Sequence, residues 1–192
     1  MSSADFVQGE LAAAAARGIR QFVVIGAWQQ PWREAFRNGF EKTWRVFAVD
    51  EDPQHDSPAT FVPTLFASEV LASALEKSDF DKRKPSLFVW LGGVGYRTVE
   101  AALAGVAFIA SLPKGSGVVF DYAVERDALE SPNDTALDAL ASRTPVDGGH
   151  VRYRIQPQAV AAMLRGLSFR HIVDRVAEGL PDSGGHLVSA LV

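Results

Sequence analysis

The sequence lacks the features that mark several classes of protein. It contains no cysteine among its 192 residues, which excludes a disulfide framework, a thiolate metal site and a cysteine nucleophile. Acidic residues outnumber basic ones, 23 to 19, and the formal net charge is −4. Because the basic residues are scattered along the chain, we expect no nucleic-acid partner. The four histidines lie far apart and show no metal-ligand spacing, so we predict no metal site.

Long apolar runs and a signal peptide are also missing. The first residues, Met1–Asp5, carry neither the basic stretch nor the apolar run of a signal peptide. The alanine run Ala12–Ala16 is too short to span a membrane. With 47% apolar and 22% charged residues, the composition is that of an ordinary soluble globular protein. We predict a cytoplasmic protein without a membrane partner, folded as a single domain over residues 1–192.

Segments of strand and helix character alternate along most of the chain. Continuous apolar runs predict strands at 21–26, 44–49, 60–64, 86–91 and 117–122, as expected for strands buried on both faces. One helix is predicted before the first strand, at 4–17, and others between the strands at 31–40, 68–77 and 98–111. Because crossovers between parallel strands are right-handed, this alternation predicts a parallel sheet with helices on both faces.

The last third of the chain changes character. Helices are predicted at 125–142 and 156–167, followed by strands at 168–173 and 186–192 with only a loop between them. Two strands joined in this way pair antiparallel. The predicted fold class is therefore α/β: a doubly wound, mostly parallel, Rossmann-like sheet with an antiparallel C-terminal strand.

Several segments, in their order and spacing, resemble the leucine carboxyl methyltransferase family, which includes polyketide O-methyltransferases. The segments are Ala15–Ala27, Arg45–Asp50, Phe61–Pro63, Phe80–Asp81, Lys84–Leu87, Gly92–Tyr96, Gly115–Ser116 and Phe120–Tyr122. The resemblance implies the class I methyltransferase fold, S-adenosylmethionine as the cofactor, and O-methyl transfer to a small carboxylate or hydroxyl substrate. It extends from about residue 5 to 125 and is weaker from 145 to 180.

Open α/β sheets bind their ligands at the carboxyl ends of the strands. We therefore expect the candidate site at that edge of the sheet. The resemblance assigns the cofactor to Gly26, Ala27, Asp50, Gly92 and Gly93, and the substrate to Tyr96 and Arg97. An acid after the second strand accepts hydrogen bonds from ribose hydroxyls. An acidic turn explains Asp50 equally well, and a tight turn explains the glycine loop. Both interpretations stay open.

Departures from the family pattern concern the cofactor contacts. Trp28 stands where the family has glycine, and Leu65 and Leu91 stand where it has acids. Since the chain begins almost at the helix before the first strand, we also expect the family's additional N-terminal helices to be missing. We therefore expect S-adenosylmethionine to bind more weakly than about 100 μM, because each lost bond to a charged partner costs roughly 1.5–3 kcal/mol.

Three functions remain from the sequence alone. The first is a divergent methyltransferase, and the second is an inactive relative that keeps the sheet as a binding or assembly module. The third is a nucleotide-binding protein of another reaction class. The expected partner is a small-molecule substrate or another protein, and a homo-oligomer would cover a cleft that lacks the N-terminal helices.

Overall fold

The computed structural model describes residues 2–26, 36, 44–51, 59–64, 70–91, 99–123, 143–145, 151–153, 156–176 and 185–192. The helices within these ranges are α1 (Ser3–Ala16), α2 (Leu71–Glu76), α3 (Val99–Ala110) and α4 (Pro157–Gly166). The strands are β1 (Gln21–Ile25), β2 (Arg45–Asp50), β3 (Thr60–Pro63), β4 (Ser86–Trp90), β5 (Gly117–Ala123), β6 (Arg143–Pro145), β7 (Val151–Tyr153), β8 (His171–Val176) and β9 (Gly185–Leu191).

A seven-stranded sheet organises the molecule, with the strand order β3-β2-β1-β4-β5-β9-β8. Strands β1 to β5 are mutually parallel, whereas β9 runs antiparallel between β5 and β8. This arrangement confirms the predicted fold class. A separate antiparallel pair, β6 and β7, was not predicted from the sequence.

Both faces of the sheet are covered, which explains the continuous apolar runs. In β1, Val23 and Ile25 point into one core cluster, and Phe22 and Val24 point into the other. The larger cluster packs under α2, α3 and α4, and the smaller packs under α1. Since a strand alternates its side chains between faces, every position of β1 is buried. Each large side chain buried in this way stabilises the fold by about 1.5–3 kcal/mol.

Helix α1 is fixed at both ends and along its length. The Ser2 hydroxyl accepts a hydrogen bond from the Asp5 amide at 3.1 Å, which is the usual N-cap. The helix is followed by Gly18 with φ of +91°, a left-handed turn that glycine adopts without strain. The Ser189 hydroxyl donates to Glu10 at 2.8 Å, which ties α1 to β9. None of the helices in the described part of the chain is long and apolar enough to cross a membrane.

Two predicted boundaries differ from the structure. The helix expected from about Ser68, a residue outside the described ranges, begins at Leu71, because Val70 is extended at its N-cap, with φ of −87° and ψ of 148°. The strand expected from Ser168 begins at His171. Ser168 has φ of +75°, and the chain there is still closing the end of α4.

Two predicted helices lie largely outside the described residues. The helix predicted at 125–142 lies outside them completely. Of the helix predicted at 31–40, only Phe36 is described, in helical conformation and fully buried.

Candidate functional site

The carboxyl ends of the parallel strands meet at one edge of the sheet. Ile25 lies opposite Val49 on one side and Trp90 on the other, so the residues that follow these three are neighbours. We name this region the carboxyl edge: Gly26, Asp50, Thr64, Leu91 and Tyr122. The chain leaves β1 toward β2, while β4 lies on the other side of β1. Strand order therefore reverses here, which is where open α/β sheets bind ligands.

Gly26 provides an open backbone position at this edge. Its φ is +84°, a conformation that strains residues with a side chain. Its amide donates to the Val49 carbonyl at 2.9 Å, which holds the turn against β2. A Cβ atom built on Gly26 meets no atom of a described residue within 4 Å. Within the described part of the chain, nothing therefore blocks a ligand from approaching the backbone at this turn.

Asp50 stands next to Gly26 at the end of β2. It is half-buried, and its Oδ1 accepts a hydrogen bond from the Glu51 amide at 2.7 Å. Its carbonyl accepts from the Thr64 amide at 3.1 Å, which joins the ends of β2 and β3. An ionised carboxylate accepts several hydrogen bonds at once, so a carboxylate at this place suits both a turn and contacts to hydroxyl groups.

The end of β4 is apolar. Trp90 is buried at 4% exposure, and the edge of its ring lies 3.3 Å from a Cβ built on Gly105, so it packs closely on α3. Leu91, which follows, is half-buried against the cluster beneath α1. A leucine offers no acceptor to a sugar or an amino group, so β4 contributes packing rather than polar contacts here.

The remaining predicted site residues lie outside the described part of the chain. These are Ala27, Gly92, Gly93, Tyr96 and Arg97, together with Trp28 and Leu65 from the departures. Their assignments stay predictions.

Farther along the carboxyl edge lies a hydrogen-bonded cluster that sequence reasoning missed. The Tyr122 hydroxyl donates to Asp174 Oδ2 at 2.6 Å, and His186 Nδ1 lies 2.7 Å from Asp174 Oδ1. The rings of Tyr122 and His186 are 5.3 Å apart. We name these three residues the Tyr-Asp-His cluster. Burial, and then the hydrogen bond to Asp174, raises the pKa of Tyr122 well above its usual 10, so Tyr122 remains a hydrogen-bond donor.

One signal for this cluster exists in the sequence. Asp174 and His186 interrupt strands that are otherwise apolar on the core side. Without the strand register, however, nothing links residues that are 12 and 52 positions apart. No group of three or more His, Asp or Glu side chains in the described ranges could hold a metal ion.

The opposite end of the sheet is built differently. We name it the amino edge: Gln21, Asp81, Ser86 and Ser116. The Gln21 amide nitrogen donates to Ser86 Oγ at 2.7 Å and to the Asp81 carbonyl at 3.0 Å. Its oxygen accepts from the Asp81 amide at 3.0 Å, and the Ser86 amide donates to Ser116 Oγ at 3.1 Å. These groups satisfy one another, as buried polar groups in a structural role do.

A surface cavity of about 360 Å³ also lies on the amino side. Its lining includes Leu75, Phe80, Arg83 and Phe108. It is far from the point where the strand order reverses, so it is not part of the candidate site.

Comparison with known proteins identifies the fold of this chain. No protein-family model and no curated protein matches the chain. Among solved structures, the Burkholderia thailandensis 1,6-didemethyltoxoflavin-N1-methyltransferase, with S-adenosylhomocysteine bound, is similar at 15% identity and a TM-score of 0.58. The match covers 99% of this chain and 78% of that one.

Two further similar structures act on unlike substrates. The glycopeptide N-methyltransferase MtfA matches at 15% identity over 96% of this chain and 86% of its own, with a TM-score of 0.53. The magnesium protoporphyrin IX methyltransferase of Synechocystis PCC 6803 matches at 13% identity over 98% and 81%, with a TM-score of 0.57. At such identities the similarity establishes the fold alone. The chain has the fold of class I S-adenosylmethionine-dependent methyltransferases, and its membership of the leucine carboxyl methyltransferase family stays a prediction.

Proposed function

We propose that this protein is an S-adenosylmethionine-dependent methyltransferase that methylates an oxygen of a small carboxylate or hydroxyl substrate. The observation that carries the proposal is the pairing of Gly26 and Asp50 at the switch point. A left-handed glycine turn that no described residue obstructs stands beside a half-buried acid at the end of the neighbouring strand. The similar structures named above, which hold S-adenosylhomocysteine, support this choice of ligand.

The described residues fit the cofactor at two positions. Gly26 would let the amino-acid part of the cofactor approach the backbone, since a Cβ there meets no atom of a described residue within 4 Å. Asp50 would accept hydrogen bonds from the ribose hydroxyls. When bound, S-adenosylmethionine supplies a methyl group whose bond to sulfur breaks with the electron pair remaining on sulfur. The protein's main task is then to align the acceptor, because orientation provides much of the rate.

Leu91 limits the affinity. It packs on the core at the position where the resembling family carries an acid. One lost hydrogen bond to a charged group weakens binding by roughly 1.5–3 kcal/mol. One such loss weakens a micromolar site by roughly one to two orders of magnitude, which supports weak binding of S-adenosylmethionine. A second loss at Leu65, which lies outside the described residues, would bring the dissociation constant above about 100 μM.

Calorimetric titration with S-adenosylmethionine and S-adenosylhomocysteine tests the proposal. We expect weak, saturable binding that Asp50→Ala lowers by roughly tenfold to a hundredfold, through loss of about 1.5–3 kcal/mol. Glu51→Ala, the exposed acid next in sequence, is the matched control and should leave the affinity unchanged. Absence of binding at millimolar ligand would overturn the proposal and favour a binding or assembly module.

A further inference from the structure

The Tyr-Asp-His cluster lies on the same edge of the sheet as Gly26 and Asp50. Tyr122 lies two residues beyond Phe120, the partner of the last residue of β4, so it stands past the carboxyl end of that strand. Two strands separate β5 from β2 in the sheet order. Neighbouring strands lie about 4.8 Å apart, so β5 is roughly 10 Å and β9 roughly 15 Å across the edge from β1.

The strand register brings the three side chains to one face. Tyr122 and His186 are directly opposite one another in the antiparallel β5–β9 pair. His186 is also opposite Val176, and Asp174 precedes Val176 by two positions on β8. Residues two apart on a strand share a face, and opposite residues do too. All three side chains therefore lie on the face covered by α4, where Tyr122 joins the larger core cluster.

Hydrogen bonding within the cluster determines which ring nitrogen of His186 is available. An ionised Asp174 can only accept, so Nδ1 of His186 donates to Oδ1 at 2.7 Å. The Tyr122 hydroxyl donates to Oδ2 at 2.6 Å and is farther from Nδ1, at 3.3 Å. In the neutral ring, Nε2 then carries the lone pair. No hydrogen bond from a described residue reaches Nε2, and the His186 side chain is 18% exposed.

We propose that His186 is the proton acceptor of this methyltransferase, that Asp174 is its positioning residue, and that the substrate carries a hydroxyl group. The inference rests on the proposed function and narrows its substrate class. A carboxylate with a pKa near 4 is already ionised at neutral pH and needs no base. A hydroxyl group keeps its proton, and a histidine oriented by a carboxylate is the common means of removing it.

The proton transfer balances within the named groups. An oxygen lone pair of the acceptor would form the new bond to the methyl carbon while the methyl–sulfur bond breaks and leaves its electron pair on sulfur. The O–H bond would break with its electron pair remaining on oxygen. The proton moves to Nε2 of His186, and Nδ1 keeps its own proton in the bond to Asp174. The imidazolium formed in this way is stabilised by the Asp174 carboxylate. It then returns the proton to water, which restores the neutral ring.

The tautomer of His186 tests the positioning role without any turnover. In protein labelled with ¹⁵N-histidine, two-bond ¹H–¹⁵N correlation spectra distinguish the two neutral tautomers. We expect the Nδ1–H form in the unaltered protein and in Asp174→Asn, whose carbonyl oxygen still accepts. In Asp174→Ala, Tyr122 becomes the nearest partner and donates to Nδ1, so the ring should switch to the Nε2–H form. An Nε2–H tautomer in the unaltered protein would overturn the proposal.

The same spectra test whether His186 belongs to the cofactor site. At saturating concentrations, the sulfonium charge of S-adenosylmethionine should shift the His186 ring signals differently from the uncharged thioether of S-adenosylhomocysteine. His171 is the control, because it is exposed and starts β8 opposite Leu191, at the other end of the sheet. Binding without a response at His186 overturns this inference alone. Absence of cofactor binding overturns the proposed function and this inference with it.

Turnover with labelled S-adenosylmethionine completes the test, with phenols, aliphatic alcohols and carboxylic acids as acceptors. We expect His186→Gln to lower methylation of a hydroxyl acceptor by about 10²–10⁴-fold, and His171→Gln to leave it unchanged. Methylation of carboxylic acids alone, or an equal loss for both classes of acceptor, would overturn the assignment of His186. Cofactor binding without transfer to any acceptor would overturn both proposals.

Discussion

The two ends of the sheet use polar residues in opposite ways. At the amino edge, Gln21 makes hydrogen bonds to Ser86 and to both backbone groups of Asp81, and Gln21 and Ser86 are almost fully buried. At the carboxyl edge, Asp50 is half-buried, no described residue lies against an added Cβ of Gly26, and Nε2 of His186 meets no described partner. Buried polar groups that satisfy one another stabilise a fold, whereas partly exposed groups at a switch point are placed where a ligand binds. Stability and binding should therefore separate between the two edges.

The largest expected effect is at the amino edge. Gln21→Leu removes three hydrogen bonds at a side chain that is 2% exposed. The backbone amide and carbonyl of Asp81 then lose their Gln21 partner. We expect the free energy of unfolding to fall by about 2–4 kcal/mol, measured by urea denaturation. Gln8→Leu, on the exposed side of α1, should change it by less than about 0.5 kcal/mol. Cofactor affinity that fell with Gln21→Leu in the folded protein would contradict the separation of the two edges.

The glycines at either end of β1 provide a matched pair for the next effect. Gly18 and Gly26 have φ of +91° and +84°, and neither has an atom of a described residue within 4 Å of an added Cβ. Alanine at either position should cost about 1–2 kcal/mol of stability through backbone strain alone. Only Gly26→Ala should also lower the affinity for S-adenosylmethionine, by about tenfold if one contact of 1.4 kcal/mol is lost. Equal affinities for the two variants would remove Gly26 from the site.

The smallest effect is on the dependence of stability on pH. The hydrogen bond from the Arg83 side chain, helped by the Arg83 amide, lowers the pKa of Asp81 from 3.8 to about 2. A lowered folded pKa stabilises the protein above pH 4, and this contribution is lost as the pH falls from about 4 toward 2. The difference in unfolding midpoint between the unaltered protein and Asp81→Asn should thus be constant from pH 5 to 8. It should shrink below pH 4, and a difference that grew there would contradict the assignment.

The parallel part of the sheet was predictable because burial on both faces leaves a direct mark on the sequence. Runs such as Gln21–Ile25 and Ser86–Trp90 are buried at every position and are apolar after their first residue, as strands buried on both faces are. The antiparallel position of β9 followed from the loss of alternation between strands and helices. Gly26 and Asp50 could be named in advance because they follow such runs directly.

Other features depend on information that a local pattern does not hold. The start of β8 was misplaced because Phe169 is apolar yet belongs to the turn that closes α4, where its amide donates to the Leu164 carbonyl at 3.0 Å. The Tyr-Asp-His cluster needed the register of three strands, which only the folded sheet provides. The β6–β7 pair consists of two three-residue strands, which are too short for a periodic signal.

The position of β9 between β5 and β8 has a consequence for how the chain folds. Among the described strands, β8 pairs with β9 alone, although β8 comes first in the sequence. Until β9 pairs with β5, β8 has no strand in the sheet to pair with. Strands β8 and β9 must therefore join the sheet together as a hairpin, or β9 must join before β8. Pairing β5 with β9 closes a loop of more than sixty residues, from Ala123 to Gly185, and such distant contacts slow folding. Completion of this half of the sheet is thus expected to be a late step, and the Tyr-Asp-His cluster can form only when it is over.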